Sequence, residues 1–149
     1  MSGTSNAPSA ESVARARAAV QTLYARDRAS QALNIELLDV APGHVRVAMP
    51  VRDDMLNGYG LCHGGVLFAF ADSAFAFACN SHGEAMVAAA ASIEFLAPTP
   101  GGVRLIATAS ETWRNDRHGI YDVSVTNSSG EVFAHFRGRC ARLRVTAAK

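Results

Sequence analysis

The chain has 149 residues, 49% hydrophobic and 18% charged, with a formal charge of +1 at pH 7. That length suits one domain with one core, and the near balance of charge argues against a broad nucleic-acid or membrane-binding surface. Cys62, Cys79 and Cys140 lie far apart with no C-x-x-C pair, so neither a disulfide framework nor a zinc ribbon is suggested. They are expected as reduced thiols of a cytoplasmic protein that needs no metal and no cofactor.

Residues 1–11, "MSGTSNAPSAE", read as a disordered tail without the basic and apolar regions of a secretory signal, followed by a single domain over 12–149. The stretch "SVARARAAVQTLYARDRA" is rich in Arg and poor in acids, as organelle presequences are. Its Val13, Val20, Leu23 and Tyr24 also suit an amphipathic helix, predicted over about 12–31. "IELLDV" and "HVRVAMPV" read as a hairpin turning at "APG", and 52–63 as a loop rich in Asn and Gly. Ala-rich continuity predicts a long helix over 64–81, with Gly83 as its stop. Its apolar run, 66–79, is too short to span a bilayer and carries Asp72 at its centre. Four strands follow, in "MVAAAASIEFLAPT", "VRLIATASETWR", "GIYDVSVTNS" and "EVFAHFRGRCARLRV", punctuated by "PTPGG", "NDRHG" and "NSSGE". A helix that is apolar nearly all round must be buried on most sides. An antiparallel sheet curling around it, with a second copy covering the rest, would supply that burial.

Asp72 is the residue that this pattern does not explain. No Lys or Arg occurs between Arg52 and Arg104 to pair with it locally, and an unpaired carboxylate in apolar surroundings is costly. On a helix it shares a face with Gly65, Phe68, Ala69, Phe75, Ala76 and Cys79. Desolvation there raises a carboxyl pKa toward the range of a general base, although a buried acid can equally be structural. "HGG" at the helix start offers free backbone N–H groups that attract developing negative charge, as an oxyanion hole does. Alone, the glycine pair is also compatible with a tight loop-to-helix turn. His63 reads as a hydrogen-bonding loop residue, and Cys62 has no evident activating partner. Gly64 and Asp72 are eight residues apart, about 12 Å along a helix axis, so one helix cannot bring both to one carbonyl. Two antiparallel copies can, which makes a dimer with composite sites the expectation if both groups are catalytic.

The stretches "MLNGYGLCHGGVLFAFADSAFAFACNS", "IEFLAPT" and "GIYDVSV…GEVFAHFRGR" resemble the PaaI-like acyl-CoA thioesterases of phenylacetate degradation, with N-G-x-x-x-C-H-G-G-x-L-F-x-x-A-D as the specific block. The resemblance implies an α+β hotdog fold, a long helix wrapped by a curved antiparallel sheet. It further implies homodimers that share active sites, usually as homotetramers, and hydrolysis of an acyl-CoA thioester. By the same resemblance Asp72 is the catalytic acid, Gly64 the backbone donor to the thioester carbonyl with support from His63, and Asn57 the loop amide orienting substrate or water. Some relatives carry a Ser or Thr on the strand after the helix; here only Ser92 is near, and the role is assigned to no residue. An acyl pocket lined by Met55, Leu56, Phe68 and Phe75 would follow, with Arg114, Arg117 and His118, or Arg137 and Arg139, near the CoA phosphates. Two rival readings are a hotdog hydratase or dehydratase using His63, and a non-catalytic acyl-CoA-binding module.

Overall fold

A computed structural model describes residues 6–144. Helix α1 spans Ala10–Tyr24 and α2 spans Arg28–Ala32; strands β1, Glu36–Ala41, and β2, His44–Pro50, precede the long helix α3, Gly64–Asn80. Strands β3 (Met86–Phe95), β4 (Arg104–Arg114), β5 (His118–Thr126) and β6 (Val132–Arg142) complete the chain. The strands form one antiparallel sheet in the order β1-β2-β4-β5-β6-β3. This is the hotdog arrangement, an α+β fold with α3 packed against β2, β3, β4, β5 and β6.

Three expected boundaries are corrected. Ser9 caps α1 by accepting from the Ser12 N–H at 3.1 Å, so residues 10 and 11 of the expected tail are helical; residues 1–5 lie outside the described residues. The single helix expected over 12–31 is two. Asp27 interrupts it, its Oδ1 accepting from the Ser30 N–H at 2.9 Å and so capping a new helix. The hairpin turn is two residues, Pro42 and Gly43, and Gly43 takes a φ of +70° that a side chain would strain. The remaining turns follow their sequence signals. Asn115 Oδ1 accepts from the N–H groups of Arg117 and His118, and Asn127 Oδ1 from those of Ser129 and Glu131.

Helix α3 sends Leu67, Phe70, Ala74, Phe75 and Phe77 into the core, against inward residues such as Val45, Val47, Leu105 and Val123. The Phe75 ring lies 5.8 Å from Tyr121 and 5.7 Å from Phe136, centroid to centroid. Gly138 makes room for it. A Cβ there would stand 2.7 Å from the Phe75 ring, so Gly138→Ala overpacks the core. We expect a loss of about 1–3 kcal/mol of stability from that one methyl group, read as a lower urea midpoint at unchanged m-value.

Candidate active site

Helix α3 begins at Gly64, and His63 is its cap: Nδ1 accepts from the Gly65 N–H at 2.9 Å. A neutral ring accepting at Nδ1 carries its proton on Nε2, facing outward from an exposed position. His63 O accepts from Val66 and Leu67. Among the described residues no protein acceptor meets the Gly64 N–H, which remains free at the positive end of the helix. It borders a cavity of about 380 Å³ shared with Asn57, Leu67, Phe95 and Thr99. Asn57 is held by its own loop, Oδ1 accepting from the N–H groups of Tyr59 (2.9 Å) and Leu61 (3.2 Å), which leaves Nδ2 available. Thr99 Oγ1, buried and without a hydrogen-bond partner, belongs to a third residue of the same lining. Sequence reasoning passed over Thr99, which looks like one more turn residue in "PTPGG". Cys62 borders this cavity too, but burial pushes its thiol up to about 11, so it stays protonated at neutral pH.

Asp72 opens on a different cavity, about 610 Å³, with Leu23, Asp27, Ala76, Met86 and Val87 among its walls. Burial, and then the neighbouring Asp27 carboxylate, raise its pKa above the ordinary carboxylate value. Asn80 secures one wall, donating to Ala76 O (2.8 Å) and Met86 O (3.0 Å) while its Oδ1 accepts from the Met86 N–H (3.0 Å). The start of β3 is thereby tied to the end of α3. The chain thus keeps Gly64 and Asn57 at one cavity and Asp72 at another.

The other expected site residues are scattered. Met55 is buried, its carbonyl accepting from the His63 N–H at 2.8 Å, and Leu56 is half-buried over Gly101. Phe68 is half-buried, its ring packed edge-on 5.3 Å from that of the core residue Phe136, and it borders neither cavity. Phe75, expected beside Asp72, turns into the core instead. Ser92 pairs in register with Arg137 and shares with it the outer face of the sheet, away from α3. Arg137 is occupied there by a two-pronged pair with Asp122, at 2.6 and 2.8 Å. Arg114 borders a small cleft by Tyr121, whereas Arg117 and His118 share a cavity of about 560 Å³ with Arg142 and Arg144. Among the described residues no cluster of His, Cys, Asp or Glu could hold a metal ion, and no helix is long and apolar enough to cross a membrane.

The thioesterase superfamily model matches residues 59–134. The acyl-coenzyme A thioesterase PaaI of Escherichia coli is 42% identical over 81% of this chain and 86% of its own length. The structure of the E. coli PaaI protein superposes with a TM-score of 0.88 at 39% identity, covering 92% of this chain and 99% of that one. A Streptococcus mutans protein with bound acetyl-CoA superposes with a TM-score of 0.72 at 27% identity, over 74% of this chain and 89% of that one. Fold and matches together define a hotdog hydrolase, and the chain belongs to the thioesterase superfamily. Within it, the chain is PaaI-like.

The raised pKa of Asp72 has a consequence for stability. The native state binds this proton more tightly than the unfolded chain does. That contribution is fully present below the ordinary carboxylate pKa and is lost as pH rises through the raised native value. Asp72→Asn removes the loss, so it is expected to raise Tm at pH 7 relative to wild type, with a smaller gain at pH 4. Thermal melts at the two pH values measure the difference.

Proposed function

We propose that the protein hydrolyses an acyl-CoA thioester, of an arylacetyl or a short to medium-length acyl group, at sites built by two copies of the chain. The observation that carries the reading is the placement of the two half-sites along β3. Gly64 lies against Phe95, at the end of the strand, and Asp72 shares a cavity with Met86, at its start. The β3 edge is free in the sheet and largely exposed. Two such edges paired antiparallel about the Ala90–Ala91 midpoint set Phe95 of one copy beside Met86 of the other. The Gly64 N–H of one copy then approaches Asp72 of the other, and the two cavities join. The bound acetyl-CoA of the S. mutans relative supports CoA as the carrier. The outer face of the sheet is left for two dimers to meet as a homotetramer.

In this arrangement the thioester carbonyl accepts from the Gly64 N–H, which stabilises the oxyanion as water adds. His63 keeps the first turn of α3 in place and Asn57 Nδ2 orients the water or substrate. Asp72, poised by its raised pKa, takes the proton from the attacking water and returns it to the departing CoA sulfur. The products are a free acid and CoA. Rapid quench of a single turnover with acyl-labelled substrate distinguishes this from direct attack by Asp72, which would leave the acyl group transiently on the protein as a mixed anhydride, with CoA released first.

The composite site is tested by mixing variants. Asp72→Asn is expected to lower kcat by about 10²-fold or more. Gly64→Pro removes the free N–H at the first helical residue, after an extended His63 (φ −60°, ψ 134°); its Cβ would stand 3.2 Å from the Phe95 ring, so native circular dichroism is checked first. After subunit exchange about half of the dimers are mixed, and each mixed dimer holds one intact site, so activity recovers to roughly a quarter of wild type. Exchange confirmed by native mass spectrometry without recovered activity would refute sharing across the interface.

In this reading the CoA phosphates meet the cations grouped around Arg117, which shares its cavity with Arg142 and Arg144. Arg117→Ala is expected to raise KM several-fold while sparing kcat, since ground state and transition state lose the same contact. Arg114→Ala is the comparison, and steady-state kinetics at low salt reads both.

A further inference from the structure

We infer that the acyl group of the substrate sits in the Asp72 cavity and that the α1–α2 corner, through Leu23 and Asp27, is the wall that selects it. The inference rests on the acyl-CoA reading above. Leu23, Arg26 and Asp27 border the same cavity of about 610 Å³ as Asp72, and Met86, Val87 and Leu143 close it elsewhere. Its walls are mainly apolar. Its acids are Asp27 and Asp72, and its one cation among the described residues is Arg26, which is exposed. The phosphates of CoA would meet two carboxylates here, and an uncharged acyl group would meet apolar surface. The apolar end of the thioester therefore suits this cavity, and an acyl group ending in a carboxylate does not.

The corner is held firmly enough to discriminate. Asp27 Oδ2 accepts from Ser30 Oγ at 2.6 Å, and Ser30 Oγ lies 3.0 Å from Ser73 Oγ, on the α3 residue next to Asp72. Tyr24 Oη donates to Ile35 O at 2.6 Å, and Gln31 Nε2 donates to Tyr24 O at 2.9 Å. A wall fixed to both α3 and the entry to β1 excludes a misfitting group instead of yielding to it. The corner also lies outside residues 59–134, which match the family model. The selecting wall and the block carrying Gly64 and Asp72 are separate stretches of chain.

The test compares kcat/KM for acyl-CoAs from acetyl to dodecanoyl, with phenylacetyl-CoA, in wild type, Leu23→Ala and Leu23→Trp. Leu23→Trp is expected to cut the ratio of long-chain to acetyl-CoA turnover by about tenfold or more, and Leu23→Ala to move the preferred length upward. Unchanged ratios in both variants, with native circular dichroism, would overturn the inference. Asp27→Asn keeps the α2 cap and is the second probe. It is expected to raise succinyl-CoA turnover several-fold relative to butanoyl-CoA, and no change in that ratio counts against the wall. Affinities of non-hydrolysable S-alkyl-CoA thioethers provide the readout independent of turnover. If wild type hydrolyses none of the esters, the hydrolase reading fails; the thioether affinities still decide the wall, by whether their length dependence moves with Leu23.

Discussion

The structure depends on enclosing one helix. α3 is seventeen residues long and has few polar groups to offer water, so its surroundings must be built around it. The curved sheet takes the face bearing Leu67, Phe70, Ala74 and Phe77, and the α2 cap reaches Ser73. A stripe through Phe68, Ala69, Asp72 and Ala76 stays only half-covered. On that stripe the Asp72 carboxylate is half-buried, enough for its proton affinity to rise. The same enclosure explains the thiols. Cys62 sits beside a cavity but stays protonated at neutral pH.

Much of this was legible in the sequence because periodicity and turn residues act locally. The length of α3 follows from an uninterrupted run of Ala and Phe, and the strands follow from long runs punctuated by Asn- and Gly-bearing turns. The family resemblance extended over most of the chain, with its most specific block from Asn57 to Asp72. Features set by tertiary packing were less visible. Phe75 lies one turn from Asp72 and was read onto its face, yet the space left by Gly138 draws its ring into the core. Ser92 points outward because a bulge between Ala88 and Ala90 sets the register of β3 with β6, and a one-residue shift exchanges the faces of a strand. The break at Asp27 was missed because its capping bond to Ser30 competes with an otherwise unbroken helical pattern.

The separation of the Gly64 N–H from the Asp72 carboxylate, each at its own cavity, has a physical logic. A helix N-terminus attracts negative charge, and a desolvated carboxylate is negative charge at a cost. Placing both in one chain within reach of each other would satisfy the carboxylate and lower its basicity. Keeping them about two turns apart leaves the Gly64 N–H and the Asp72 carboxylate both uncommitted. Asn57 and His63 are the reverse, committed to their own backbone through one atom each, with the other polar atom left over.

The distribution of side-chain size along β3 sets what can join that edge. Its middle is a run of alanines, and its large apolar groups stand near the ends, at Val87 and Phe95, which are 46% and 54% exposed. A newly made chain therefore presents small methyl groups over most of the edge, which limits indiscriminate sticking while leaving the backbone ladder open. Selectivity among alignments then falls to the ends. A strand laid on β3 out of step leaves an aromatic ring in water, and only the alignment that shelters both ends recovers its full hydrophobic gain. In the pairing proposed above, the alanine run is permissive in the middle and the two tips set the position.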